Sequence, residues 1–523
     1  MRPFYLFIFF VLFLMNLRYS FSQQVYFNST YNLCGTFNQD AWSSSSDILE
    51  LNDGYIIAGA TVDTETFWMR RIPLMKIDMN GYVITNRNYG NDTVDFYKGW
   101  PGSFRKSNYT NEYFIAGSIN YWQPGNYDVG LLMKIDSSFD IVWVKEYNLN
   151  KDDNPDTSIL FNQMDICNNT DLIFAGSMNG THLLLLRTDS SGNTLWYKTF
   201  HYGTSSLCTG YAVIQTSDGG FALGGFQYTI GQPETGDPII VKTDSLGNQE
   251  WVKYLGGYYM DNKAMLSLSE DGNIIIGTTY GEYMLGDDPV SVINIVKLDN
   301  SGTVIWDKKY GTGIKYNYLL NVRALPSGDI LAVGKRPDVF PHNAGWILKV
   351  KENGDSIWYR EYSHLIGDQS INHLSDVIQT SDNGFIACGY VIPMAPDTGN
   401  RDAWVIKLDS IGCDSAGCDT TVGVEEEHRG MEASGHGGLE VWPNPAREQI
   451  HVRFYMDDGR FYKDLGLEIY DVFGRQAPTP ALPQPGEGGG WIVDVSAFPS
   501  GIYIAILKDS HRRLYSRKFV ILR

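Results

Sequence analysis

The sequence predicts an all-β protein: a seven-bladed β-propeller of four-stranded blades, then a small C-terminal β-sandwich. Three observations predict it. A ten-residue pattern returns seven times, an apolar run ending in Gly precedes each return, and the composition shifts after residue 420.

The pattern is clearest in KTDSLGNQEW (242–251). Its relatives are KIDMNGYVIT (76–85), KIDSSFDIVW (134–143), RTDSSGNTLW (187–196), KLDNSGTVIW (297–306), KVKENGDSIW (349–358) and KLDSIGCDSA (407–416). The Asp position falls at 78, 136, 189, 244, 299, 351 (here Lys) and 409, so the spacing is 52 to 58 residues. A regular period of this size is the mark of a repeat architecture. Asp-x-x-Gly is turn chemistry, with Gly taking the left-handed position of a hairpin loop. Trp143, Trp196, Trp251, Trp306 and Trp358 then open an outer strand, where period two sets Trp, Lys/Arg and an aromatic on one face.

The preceding runs are GYIIAG, EYFIAG, DLIFAG, GFALGG, NIIIGT, DILAVG and GFIACG. With the upstream strand and the apolar third strand, such as DPIIVK, each unit reads as four short strands joined by turns. A lone four-stranded unit has no core of its own and must stack on its neighbours. A ring of seven leaves no end uncapped. The seventh unit lacks a fourth strand, and residues 24–32 (QVYFNSTYN) are a strand with nothing before it. This N-terminal strand is expected to supply the outer strand of the last blade, because a bare edge invites unwanted pairing.

The chain opens with Met1-Arg2, an apolar run FYLFIFFVLFL (4–14) and small residues at Ser20 and Ser22. Residues 1–22 read as a signal peptide, cleaved after Ser22. No later segment reaches ~18 unbroken apolar residues, so no transmembrane segment is expected in the mature chain. The propeller should span 23–420. The net charge of −19 speaks against nucleic acid. Six Cys are too few for a disulfide scaffold; Cys413 and Cys418 are the candidate disulfide, and Cys388 reads as a buried thiol.

Residues 421–437 read as a linker, and 438–523 as short strands around a Pro/Gly-rich loop, APTPALPQPGEGGG (477–490). Four ordered stretches stand out: WPNPAREQI (442–450), LEIYDVFGR (467–475), VSAFPSGIYIAIL (495–507) and RKFVILR (517–523). This tail resembles the type A C-terminal sorting domain of type IX secretion cargo, on Pro443, Asn444, Pro445, Gly474, Gly501 and Tyr503. The resemblance implies an Ig-like sandwich and a partner in the type IX secretion machinery. It also implies passage through the periplasm to the outer-membrane surface or the medium, the tail being cleaved on the way.

The repeat resembles the tryptophan-docking repeats of quinoprotein-like propellers through its D-x-x-G-x-x-x-W pattern. Members with dehydrogenase activity have eight blades and adjacent cysteines, and this chain has neither, so no cofactor is expected. No catalytic or metal-ligating motif emerges. G-x-S-x-G and H-E-x-x-H are missing, the Asp turns lack the calcium-loop pattern, and His342, His364 and His373 read as surface residues. Six loops depart from the repeat: 61–71, 120–128, 228–237, 281–289, 336–345 and 392–400. All join second to third strands and share one rim, where Tyr, Trp, Pro and Asp suit an unknown protein or carbohydrate ligand. Two functions follow. The favoured one is a non-catalytic binding module; the alternative is a secreted glycan hydrolase with two carboxylates at the propeller mouth.

Overall fold

The computed structural model describes residues 25–34, 42–62, 69–122, 127–149, 157–202, 206–229, 236–257, 261–285, 288–311, 317–336, 343–365, 367, 370–395, 397–415, 438–442, 449–455, 466–471, 490–499, 501–508 and 513–521. The chain forms two compact units, Met1–Glu425 and Glu426–Arg523. No helix occurs among the described residues.

The first unit is a seven-bladed β-propeller of antiparallel sheets. Blade 4 shows the plan: Ser206–Gln215 lies innermost, followed by Phe221–Thr229, Gly236–Thr243 and Gln249–Tyr254. Blade 1 spans 42–89, blade 2 95–147, blade 3 159–200, blade 5 265–310 and blade 6 318–362. Blade 7 takes three strands from 371–408. Its outer strand is Phe27–Tyr31, antiparallel to Asp402–Leu408, with Phe27 opposite Lys407 and Tyr31 opposite Ala403. The N-terminal strand thus closes the ring, as the missing fourth strand of the last unit required.

Third strands are covered on both faces. Leu183, Leu184, Leu185 and Leu186 are all fully buried, which explains why the run does not alternate. The cation that ends each third strand has a fixed partner, an acid in the turn between the first two strands of its own blade. The pairs are Lys76–Asp53, Lys134–Glu112, Arg187–Asp171, Lys242–Asp218, Lys297–Asp271, Lys349–Asp329 and Lys407–Asp382, each within 3.0 Å.

The Asp-x-x-Gly turn is held by its own side chain. Asp244 Oδ1 accepts the Leu246 and Asn248 amides at 2.9 and 2.8 Å. The same two bonds recur from Asp78, Asp136, Asp189, Asp299 and Asp409. The Asn248 and Ser301 side chains, and then the turn amides, hold the Asp244 and Asp299 carboxyls below the usual range; at Asp189 the Asn193 amide leads.

The Trp of the repeat serves a different purpose from a simple core residue. It leaves its own blade and lies on the turn Gly of the next. A Cβ on Gly247 would stand 2.8 Å from the Trp196 ring, and one on Gly302 3.1 Å from Trp251. Gly192, Gly354 and Gly412 face Trp143, Trp306 and Trp358 in the same way. The indole N–H of Trp251 donates to Asn300 O (2.9 Å), and that of Trp306 to Glu352 O (3.1 Å). Four residues on, a Tyr hydroxyl donates to the turn Gly carbonyl, as Tyr147 to Gly192, Tyr310 to Gly354 and Tyr362 to Gly412. At the seam Phe27 and Tyr31 take these two places against Gly81, with Tyr31 donating to Gly81 O at 2.7 Å.

The second unit contains two three-stranded sheets. One runs Gly438–Trp442, Gln449–Tyr455, Gly490–Asp494; the other runs Gly466–Asp471, Gly501–Lys508, Arg513–Ile521. Alternate residues are buried, Ile450 and Val452 in the first and Leu467, Ile469, Tyr503 and Ala505 in the second. Each sheet therefore covers one face.

Candidate functional site

The first strands of the blades surround a central channel. Five of them carry a bulge, between Ser45 and Asp47, Phe161 and Gln163, Gly210 and Ala212, Leu319 and Asn321, and Leu374 and Asp376. A bulge re-aims the extra side chain. The Gly that ends each second-strand run makes room for it. A Cβ on Gly59, Gly117, Gly176, Gly334 or Gly389 would meet a first-strand carbonyl at 1.8–2.1 Å, closer than any real contact.

Blade 2 departs furthest. Its first strand is split into Asp95–Lys98 and Phe104–Lys106, and the segment Gly99–Ser103 (GWPGS) leaves the sheet. Trp100 N–H donates to Asn162 O in blade 3 at 2.6 Å. Its ring meets Tyr211 of blade 4 edge-on at 5.6 Å and, at 3.0 Å, the Nζ of Lys263, two residues ahead of blade 5. Trp100 thus lies across the channel at the level of the bulges, and the residue is still 40% exposed.

Beyond Trp100, a cavity of about 160 Å³ is lined by Arg105, Gln163, Asp165, Ile214, Leu268 and Arg323, among others. Asp165 is the carboxylate among its lining residues, while the nearby buried acids Asp376 and Asp47 are spent on cations. Asp376 holds Arg323 through two bonds, at 2.9 and 2.8 Å, and accepts from Asn321 at 2.8 Å. Asp47 holds Lys98 and the Gly102 amide, which anchors the blade 2 segment. Burial pushes the Asp165 carboxyl up against the pull of Arg105. Removing one partner of such a buried pair costs about 3–5 kcal/mol.

On the other side of Trp100, at the rim holding the second-to-third-strand loops, cations and rings alternate around the mouth. Arg70 lies over Tyr97 (4.9 Å), Arg401 over Tyr390 (3.8 Å), Lys335 over Tyr318 (4.9 Å) and Lys263 over both Trp100 and Tyr211 (4.8 Å to the latter). His373 meets the Tyr390 ring edge-on at 4.5 Å. Burial and then the charge of Lys335 push Lys263 well down, and burial with Lys335 and Arg401 does the same to His373. Burial and then Arg401 lower Lys335; burial and Arg70 lower Arg401. His373 is 8% exposed, which corrects its reading as a surface residue; His364 is half-buried, and His342 lies outside the described residues.

The loop positions singled out in the sequence are described chiefly at their roots, since parts of all six lie outside the described residues. Arg70, Lys335 and Arg401 stand at or next to those roots. The five repeat Trp side chains are placed at blade boundaries, away from the channel. Cys413 is buried and disulfide-bonded, and Cys418 lies outside the described residues; Cys388 is a buried free thiol. Among the described residues no group of His, Cys, Asp or Glu could hold a metal ion.

In the tail, Tyr503 is buried on the strand that Gly501 opens; its hydroxyl donates to Pro499 O at 3.0 Å and its ring packs on Phe498. Pro443, Asn444, Pro445 and Gly474 lie outside the described residues. Residues 440–522 match the family model described as the secretion system C-terminal sorting domain. The tail is a secretion sorting domain. A sorting domain of this kind marks the chain as type IX cargo, a secreted or cell-surface β-propeller. No helix among the described residues is long and apolar enough to cross a membrane.

No curated protein matches the chain. Among solved structures, an ulvan lyase of polysaccharide lyase family 25 is similar at 7% identity and a TM-score of 0.46, over 73% of this chain and 96% of that one. The endosialidase of phage phi92 is similar at 8% identity and 0.41, over 95% and 87%. An α-L-arabinofuranosidase from Fusarium graminearum is similar at 12% identity and 0.36, over 73% and 97%.

Proposed function

We propose that the protein is a non-catalytic binding module whose ligand, a protein or carbohydrate, docks at the cation-and-ring mouth of the propeller. In this reading residues 1–22 are a signal peptide, 421–437 a linker, and 438–523 the sorting domain, its two sheets packed as a sandwich. The protein crosses the periplasm and ends at the outer-membrane surface or in the medium. The observation that carries the binding role is the mouth itself: cations stacked on rings, with Trp100 presenting 40% of its surface. Exposed aromatics beside fixed charges are a common basis of recognition.

The hydrolase alternative rests on a different pair. A Cβ on Gly256 would stand 2.4 Å from Asp261 Oδ2 and 2.6 Å from Asp237 Oδ1, so the two carboxylates face the same small space. Burial pushes the Asp261 carboxyl up to about 6, a value suited to a general acid. The pair belongs to the junction of blades 4 and 5, whereas the axial carboxylates Asp47 and Asp376 are held in ion pairs. Assaying the full chain against a glycan array, with reducing ends measured in parallel, separates the readings. The binding module retains glycans, loses them in Trp100→Ala, and releases no new ends. Release of ends that disappears in Asp261→Asn would overturn it in favour of hydrolysis.

A further inference from the structure

We infer that the mouth takes the terminal acidic sugar of a glycan, one bearing a carboxylate or sulfate; this rests on the mouth being the binding site. The propeller treats its cations in two ways. At the opposite rim, the cation ending each third strand has a carboxylate within 3.0 Å in every blade. At the mouth, the side chains of Arg70, Lys263, Lys335, His373 and Arg401 have no ion pair among the described residues, in a chain with 60 acidic residues to choose from.

Two of these groups are also orphaned within the protein. Lys263 is 3% exposed and makes no hydrogen bond among the described residues; its ammonium has only the rings of Trp100 and Tyr211. Arg401 Nε is buried with no acceptor among the described residues. Taking an ammonium or guanidinium from water without a counter-charge is costly, and a ring face offsets only part of it. Neighbouring like charges add to that cost. An incoming anion would relieve all of it at once.

The rings specify the rest of the ligand. Trp100 and Tyr211 present apolar surface between the cations, which suits a sugar ring carrying an acidic substituent better than a bare anion. The end of the chain, not its middle, should enter. Trp100 lies across the channel, so nothing threads through, and the −19 chain repels a polyanion lying along its surface, within the ~8 Å over which charge is unscreened.

Binding should also take up protons. Lys263 and His373 are both held below their usual values by burial and by Lys335, with Arg401 acting on His373 as well. Tyr211 and Trp100 face Lys263, and Tyr390 faces His373; among the described residues no carboxylate pairs with either. A bound anion raises both groups. Affinity is then highest below their free values and falls as pH rises through the window between free and bound values.

Calorimetry on the full chain tests this with tetragalacturonate, neutral galactotetraose and sodium sulfate as probes. The expected result is tetragalacturonate binding with one site per chain end at any polymer length. That binding weakens at least tenfold on going from low to high salt and takes up protons. Arg401→Gln should weaken it about tenfold, and so should Arg70→Gln, whose exposed position leaves the melting temperature unchanged. Equal, salt-insensitive binding of galactotetraose, lost in Trp100→Ala, would overturn the acidic-sugar inference and leave the mouth in place. Sulfate competing at the same concentration as the tetramer would reduce the ligand to a free anion and overturn it too. Wild-type affinity for tetragalacturonate in both Arg variants would sink the mouth reading itself.

Discussion

Gly302 and Trp251 meet across the boundary between blades 4 and 5, and each explains the other. Gly302 sits at φ +84, where a Cβ is strained and would also stand 3.1 Å from the indole. Gly302→Ala should cost about 2 kcal/mol, but only about 1 kcal/mol in a Trp251→Thr background, because half of the penalty is the indole. Equal penalties in both backgrounds, measured as a double-mutant cycle by denaturant unfolding, would show that the two residues do not interact. Blade 2 already contains the relaxed version. Its turn has Phe139 at φ 65 in place of Gly, and the residue at the docking position of blade 1 is Thr85. Tyr89 still donates to Phe139 O, at 2.7 Å. Where the indole is gone, the side chain it excluded is allowed. The Trp and Gly were both plain in the sequence, but their spacing joined them within one hairpin. Their contact belongs to the next copy, and no single copy of the motif displays it.

Strands and turns were legible because period two and turn chemistry act locally. The apolar runs, the hairpins and the strand missing from the last unit all follow from side chains within a few residues of one another. The bulges did not show, since a bulge inserts a residue without changing its type. GWPGS in blade 2 is made of ordinary turn residues around a Trp, and only its position inside a first strand brings Trp100 into the channel. His373 misled for a similar reason: a polar residue beside a bulge can be buried against Tyr390 and still read as surface. The closing strand gives the test at this scale. Deleting residues 25–33 leaves the edge of Asp402–Leu408 unpaired and removes Phe27 and Tyr31 from Gly81. The shortened protein should melt at lower temperature and associate through that edge, as seen by light scattering. A monomer with unchanged melting would mean that the seam contributes nothing.

Taken whole, the molecule separates its charge by face and its tasks by unit. One rim neutralises the cation of every third strand with an acid; at the mouth of the other, Arg70, Lys263, Lys335 and Arg401 stand over rings. The tail was legible as an address because its motifs are contiguous, whereas the mouth gathers single residues from blades 1, 2, 4, 5, 6 and 7, each unremarkable in its own copy. If the sorting domain alone directs export, removing residues 438–523 should hold the propeller in the periplasm. Cell fractionation showing the shortened chain at the surface would contradict that assignment.

The strand that seals the ring is made first, and the strand it pairs with is made almost last. Phe27 meets Lys407 only after every intervening blade exists, and the Tyr26 hydroxyl reaches Asp409 across 383 positions. A contact spanning nearly the full propeller is slow to form, because so much chain must first be ordered. Completion is therefore built into the topology. A chain cut short in any blade keeps its first strand unclaimed, and only a chain translated to the end of its last blade can seal the ring.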